Sequence, residues 1–193
     1  YVPYHINQSA ARTLEYAYND WCIYQMGKKL NRPSEELEVY KKRSLNYKNL
    51  FNKPFNLMSG REANGHFQPN FEPVKWWDAF TEGNSWHYSW SVFHDVQAFV
   101  NMLDSVFIMP PTFGANSDTR GSLVHEMREM QVIDMGQYAH GNQPIQHMIY
   151  LYNYAGEPWK TQYWIREVLT RLYTPAPDGY CGDEDNGQTS AWY

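Results

Sequence analysis

Apolar residues return through this 193-residue chain at spacings of three and four, with no run of strict alternation, and that pattern limits the fold more than any other feature. From an N-cap at Ser9, Leu14, Ala17, Tyr18, Trp21 and Tyr24 keep the helical period until Gly27 and Asn31 end it. Pro33-Ser34 opens a second helix with Leu37, Tyr40, Ser44, Tyr47 and Phe51 in step, so the two form a hairpin. Helical signal returns over Asp95 to Leu103, through Val96, Phe99, Val100 and Leu103, and again from about Ser122 to Met135. Pro144 starts a helix carrying Ile145, Met148, Ile149 and Tyr152 and closed at Gly156. Glu157-Pro158 starts the next, with Trp164, Ile165, Val168, Leu169 and Leu172 inside. Six or seven helices, no convincing strand and no repeat predict an all-α chain of successive hairpins.

What interrupts the helices is informative. From about Asn52 to Ser85 the chain becomes Asn, Pro, Gly and single aromatics, and a loop of that length is more often functional than filler. Three polar turns, at Thr81–Asn84, His140–Gln143 and Gly182–Gly187, each precede a helical stretch, so hairpins stacked in one sense gather them at one end. The last holds three consecutive acids, Asp183-Glu184-Asp185, whose repulsion calls for a cation, a positive helix end or a shared proton. Asp183 and Asp185 can divide tasks, one polarising a water and the other holding a cation or tuning its neighbour. Glu82 is a lone acid beside Trp86, Tyr88 and Trp90, and apolar surroundings would raise its pKa toward that of a general acid. For each of these acids, capping a helix is the plainer alternative.

The segment His140-Gly141-Asn142-Gln143-Pro144 sets amides and an imidazole at a helix start, suited to sugar hydroxyls or a hard cation. His125-Glu126-Met127-Arg128-Glu129 begins like a zinc-protease helix, but Glu129 stands where the second histidine is required. Sixteen Lys and Arg against 21 Asp and Glu give a net charge of -5, which argues against a nucleic-acid partner. No apolar run approaches the ~20 residues of a membrane span. Aromatic residues make up 17% of the chain, with eight Trp and sixteen Tyr, at a mean hydropathy of -0.70. That mixture suits a carbohydrate cleft as well as a core. Cys22 and Cys181 are expected to be two unbridged thiols.

Five stretches taken together resemble glycoside hydrolase family 92: TLEYAYNDWC from Thr13, TEGNSW from Thr81, GQYAHGNQP from Gly136, YLYNYAG from Tyr150 with WKTQ from Trp159, and the closing GDEDNGQTSAWY. They run in order along essentially the whole chain. The resemblance implies a calcium-dependent, inverting exo-α-mannosidase acting on α-mannoside glycans, secreted or periplasmic. The implied fold is an incomplete (α/α)6 toroid over residues 1–193, lacking an N-terminal β-sandwich domain and C-terminal helices, so that this chain is the middle of a longer enzyme. By the same resemblance Glu82 is the general acid, Asp183 and Asp185 serve the base function, and Asn142, Gln143 and Asp185 hold Ca2+. Trp86, His140, Asn142 and Gln143 are the substrate-binding candidates. Gln143 departs from the glutamate that many relatives carry there, which removes a charge from the calcium site. Other classes stay open on residues alone: a non-catalytic helical carbohydrate-binding or scaffold segment, or an inverting hydrolase of another (α/α)6 family.

Overall fold

A computed structural model of the chain describes residues 1–114, 123–182 and 192–193. It divides into two compact units, Tyr1–Asp95 and Val96–Tyr193.

The first unit opens with the expected hairpin, α1 (Ser9–Lys29) and α2 (Ser34–Arg43). Ala10, Ala11, Leu14 and Ala17 bury one face of α1. Farther along, Gly27 leaves room for the buried Leu37 of α2, whose side chain occupies the space that a Cβ at position 27 would need. Asp20, 4% exposed, pairs with Arg43 across the hairpin at 3.0 Å. Charges suit the helix ends: Lys28 and Lys29 close α1, while Glu35 and Glu36 open α2.

Helix α2 stops well short of Phe51. The Ser44 hydroxyl donates to the Lys41 carbonyl at 2.8 Å, taking an acceptor at the helix end. A 3-10 turn follows at Asn46–Leu50, and its three-residue repeat keeps Tyr47 and Leu50 on one buried face. The expectation of no strand needs correction. Phe51–Asn52 (β1) pairs antiparallel with Leu57–Met58 (β2), Phe51 opposite Met58, and Arg61 bridges Phe67. Strands of two residues are too short to show alternation.

Strand β2 is completed by a helix rather than by a third strand. The Met58 N–H donates to Ser89 Oγ at 2.9 Å, and that hydroxyl donates to the Ser85 carbonyl at 2.7 Å. The Ser85 hydroxyl in turn donates to the Met58 carbonyl, which fixes α3 (Ser85–Tyr88) against the strand. The long loop between them is pinned by Asp78, whose carboxylate accepts from Tyr4 at 2.7 Å and from Gln68 Nε2 at 2.8 Å. The Ala79 carbonyl takes the N–H groups of Ala10 and Ala11, at 2.9 and 3.2 Å, at the start of α1.

In the second unit the helix expected over Asp95 to Leu103 is instead two 3-10 turns, Val96–Ala98 and Val100–Met102, leading into α4 (Leu103–Ile108). A spacing of three fits either helix type, which is why the sequence misassigns it. Helix α5 (His125–Ile133) falls within the stretch expected from about Ser122 to Met135, shorter than expected, and ends on Asp134 in the left-handed region. Arg171 donates to its last carbonyl, that of Ile133, at 3.0 Å. The segment after Pro144 divides into α6 (Gln143–Gln146) and a 3-10 turn, Met148–Asn153. Hydroxyls intrude there: Tyr138 donates to the Gln146 carbonyl at 3.1 Å and Thr161 to the Ile149 carbonyl at 2.9 Å. Gly156, at φ 76°, closes the stretch as expected. Helix α7 (Pro158–Leu172) buries Thr161 and Val168 and leaves Leu169 exposed, contrary to the expected inner face. Trp164 of α7 stacks on Phe107 at 3.6 Å between ring centroids. Neither Cys22 nor Cys181 forms a disulfide.

The Gly27–Leu37 contact generates a prediction for the hairpin. Leu37→Ala should lower stability by about 2–3 kcal/mol in urea unfolding, in line with truncating a buried leucine. Adding Gly27→Ala to that variant should recover roughly 1 kcal/mol, because the new methyl gains helix propensity and enters the vacated space. Strict additivity of the two changes would show that the residues do not share it.

Candidate active site

The loop carrying Glu82 is held in a conformation that side chains rarely adopt. Trp77 lies at φ 64° and Glu82 at φ 48°, both in the left-handed region, and for a bulky residue such as tryptophan this is strained. The surroundings enforce it. The Ala79 carbonyl sits on the α1 N-terminus, the Tyr88 hydroxyl donates to the Thr81 carbonyl, and the Trp77 N–H reaches the Gly83 carbonyl at 3.4 Å. Asn84 is the N-cap of α3, its Oδ1 accepting from the His87 N–H at 3.2 Å, so Glu82 is not spent on capping.

Downstream of that cap the chain turns inward. Asn84, Ser85 and His87 are buried, and Trp76 meets His87 edge to face at 5.0 Å. Trp86 is 8% exposed, and among the described residues no acceptor meets the indole N–H of Trp86 or of Trp77. Glu82 is exposed. The aromatic enclosure expected around its carboxyl is therefore not built within this unit: the one-turn helix carries Trp86 into the core and leaves Glu82, two residues before the cap, facing outward.

The second unit brings two of the expected polar turns together. Glu129 of α5 accepts from the Gly141 N–H through Oε1 at 3.0 Å and from the Gly182 N–H through Oε2 at 2.8 Å. A Cβ on Gly141 would stand 2.7 Å from the Gly182 Cα, and one on Gly182 would stand 2.8 Å from the Gly141 carbonyl oxygen. With Gly182 also at φ 74°, the approach requires glycine. His125 Nε2 lies 3.8 Å from Oε2, the oxygen that also takes the Gly182 N–H.

Next to Gly141, His140 is buried with both ring nitrogens in hydrogen bonds. Tyr138 donates to the Gln146 carbonyl at 3.1 Å, so its oxygen receives the His140 Nδ1–H at 2.8 Å. That tautomer leaves Nε2 to accept from the Tyr173 hydroxyl at 3.0 Å. Burial pushes the His140 pKa down to about 4, so the imidazole stays neutral in this chain. Asn142, 2% exposed, begins α6, and its carbonyl accepts from the N–H groups of Ile145 and Gln146 at 3.2 Å each. Gln143 is half-buried beside it.

Comparison with known proteins carries the reading further. The family described as the glycosyl hydrolase family 92 catalytic domain matches residues 1–193. The chain belongs to this family. An inverting mannosidase of the family from Bacteroides thetaiotaomicron is 46% identical, with a TM-score of 0.79 over 100% of this chain and 27% of that one. A family 92 α-mannosidase of the same organism, solved in complex with mannoimidazole, is 34% identical at a TM-score of 0.80, over 100% and 26% of the two chains. A protein of Arthroderma benhamiae described as an uncharacterized secreted glycosidase is 26% identical over 205 residues, 93% of this chain and 24% of that protein. The chain thus spans about a quarter of each of these relatives.

Of the residues singled out from the family 92 resemblance, Glu82 and Trp86 lie in the first unit, and His140, Asn142 and Gln143 in the second. Asp183 and Asp185 lie outside the described residues. Among the described residues no three His, Cys, Asp or Glu side chains cluster to hold a metal ion. The hydrogen bonds of His140 direct its two ring nitrogens to Tyr138 and Tyr173. Sequence reasoning missed Glu129, seen only as a misplaced zinc ligand, and missed Tyr138 and Tyr173. A carboxylate on the buried side of α5 was the available signal.

The pH dependence follows from His140. Its folded pKa is near 4 against about 6.5 when unfolded, so only the unfolded chain takes up the proton between those values. The contribution is complete above about pH 6.5 and shrinks as pH falls toward 4. Urea unfolding should show stability dropping by on the order of 2 kcal/mol between pH 6.5 and 5 from this group. In His140→Asn that component should vanish, and an unchanged pH slope would count against the buried neutral ring.

Proposed function

We propose that this chain forms part of the catalytic domain of an exo-α-mannosidase that removes terminal α-linked mannose from glycans by single displacement with inversion, assisted by calcium. Family membership over the whole chain supports the hydrolase reading, and the names of the two Bacteroides proteins support mannose as the sugar. The observation in the fold that carries it is the joining, through Glu129, of the turn that bears Asn142 and Gln143 to the residue that precedes Asp183. In this reading the helices are a portion of an (α/α)6 toroid. The rest of the toroid and an N-terminal β-sandwich domain come from the same polypeptide, in keeping with the quarter share of its relatives' length. Secretion or a periplasmic location accords with the fungal relative's description.

The chemistry assigned to the residues follows from the family resemblance. Glu82 protonates the departing glycosidic oxygen; Asp183 or Asp185 takes the proton of a water attacking from the opposite face of the ring. In an inverting enzyme the two carboxyl groups stand ~6.5–9.5 Å apart to admit that water. Asn142, Gln143 and Asp185 offer the hard oxygen donors that would hold a calcium ion, which when bound would supply a positive charge to polarise and orient sugar hydroxyls. The Asn142 side chain is buried at the turn that leads into α6. Enclosure of the exposed Glu82 falls to substrate and to neighbouring parts of the toroid.

The test is Glu82→Gln in the full-length protein. Turnover of mannosides with poor leaving groups should fall by roughly 10²–10⁴, the usual worth of general acid catalysis, while activated aryl mannosides, which need no proton, should lose less than about tenfold. Equal losses on both would remove Glu82 from the acid role. Chelation should abolish activity on either substrate, with recovery on adding Ca2+; activity indifferent to chelator would strike calcium from the mechanism.

A further inference from the structure

The carboxylate of Glu129 lies outside every residue assigned to the reaction, yet it sits where the assigned residues originate. Its side chain is 9% exposed, and each of its two oxygens takes one backbone N–H, from segments 12 and 53 residues away in sequence. A carboxylate is suited to this because both oxygens accept. An amide could satisfy only one of the two N–H groups and would turn its own NH2 toward the other. The contact at Gly141 and Gly182 is also too close for any side chain on either residue.

We propose that Glu129 is a positioning residue for the reaction. By holding Gly141 and Gly182 against each other it sets the backbone from which Asn142 follows on one side and Asp183 on the other. This rests on the function proposed above and deepens it: the water-activating side of the site is registered by a helix side chain acting through two backbone amides. Rigid support of this kind matters because displacements of about an ångström cost reaction rate out of proportion to their effect on binding.

The experiment compares Glu129→Gln with wild type in the full-length protein on an activated aryl α-mannoside, which needs no acid and so isolates the water-activating side. The Gln variant should lose at least tenfold in kcat, with KM within about threefold and Tm within a few degrees of wild type. A folded variant with kcat within twofold of wild type, or a loss explained by the unfolded fraction alone, would overturn the proposal. If Glu129→Gln does not fold, Glu129→Asp carries the same test, since its chain is one methylene too short to span both amides; failure of both to fold would make Glu129 a folding determinant and also overturn it. Amide hydrogen exchange separates this from the function itself. Glu129→Gln should lose protection at Gly141 or Gly182, and unchanged protection at both would refute the clamp, whereas a wild-type protein inactive on every α-mannoside would refute the mannosidase reading instead.

Discussion

A buried backbone group must find a partner, and in this chain that requirement falls hardest on segments with no regular structure to supply one. The loop before Glu82 meets it piece by piece. Gln68 accepts from the Gly60 N–H at 2.7 Å and passes its own N–H to Asp78; Ala79 borrows the open end of α1; Ser85 and Ser89 stand in for a strand beside Met58. Each link is local, but together they leave the stretch from Trp77 to Gly83 little freedom. Two residues there adopt left-handed backbone as a consequence. Strain of this kind, of order 1–3 kcal/mol per residue, persists only where the surroundings over-determine it.

The second unit applies the same rule with charge. Glu129 serves two amides where a neutral amide side chain would serve one, and Tyr138 and Tyr173 supply hydrogen bonds to both ring nitrogens of the buried His140. Tyr193 packs edge to face on His140 at 4.4 Å, and Tyr173 stacks on Tyr193 at 6.1 Å. Of the tyrosines that composition could not assign to core or cleft, Tyr138 is a core residue here and Tyr173 a half-buried one, each with its hydroxyl on His140.

What the sequence made legible was whatever depends on local periodicity and on end signals. The hairpin of α1 and α2, the presence of α5, the Pro158 start of α7 and the Gly156 stop all follow from such signals. Where a spacing of three serves both α- and 3-10 geometry, at Asn46–Leu50, Val96–Met102 and Met148–Asn153, periodicity could not distinguish them. The two-residue strands lay below any pattern's reach, and the outward face of Glu82 depended on Asn84 taking the cap. Glu129 was hard to read for a different reason: its place on the buried side of α5 is the one sign of it, and its partners are backbone amides of glycines far off in sequence, which no side-chain pattern announces. The meeting of the His140 and Gly182 turns was foreseen from the order of hairpins, though not the carboxylate that joins them.

The proposed mannosidase mechanism requires two carboxyl groups, from stretches a hundred positions apart in the chain, to face each other across one sugar. A crystal structure of the full-length protein with bound mannoimidazole measures this directly. The account predicts the Glu82 carboxyl on one side of the inhibitor ring and that of Asp183 or Asp185 on the other, ~6.5–9.5 Å away. An inhibitor touching only one of these stretches, or carboxyl groups well beyond that separation, would contradict it.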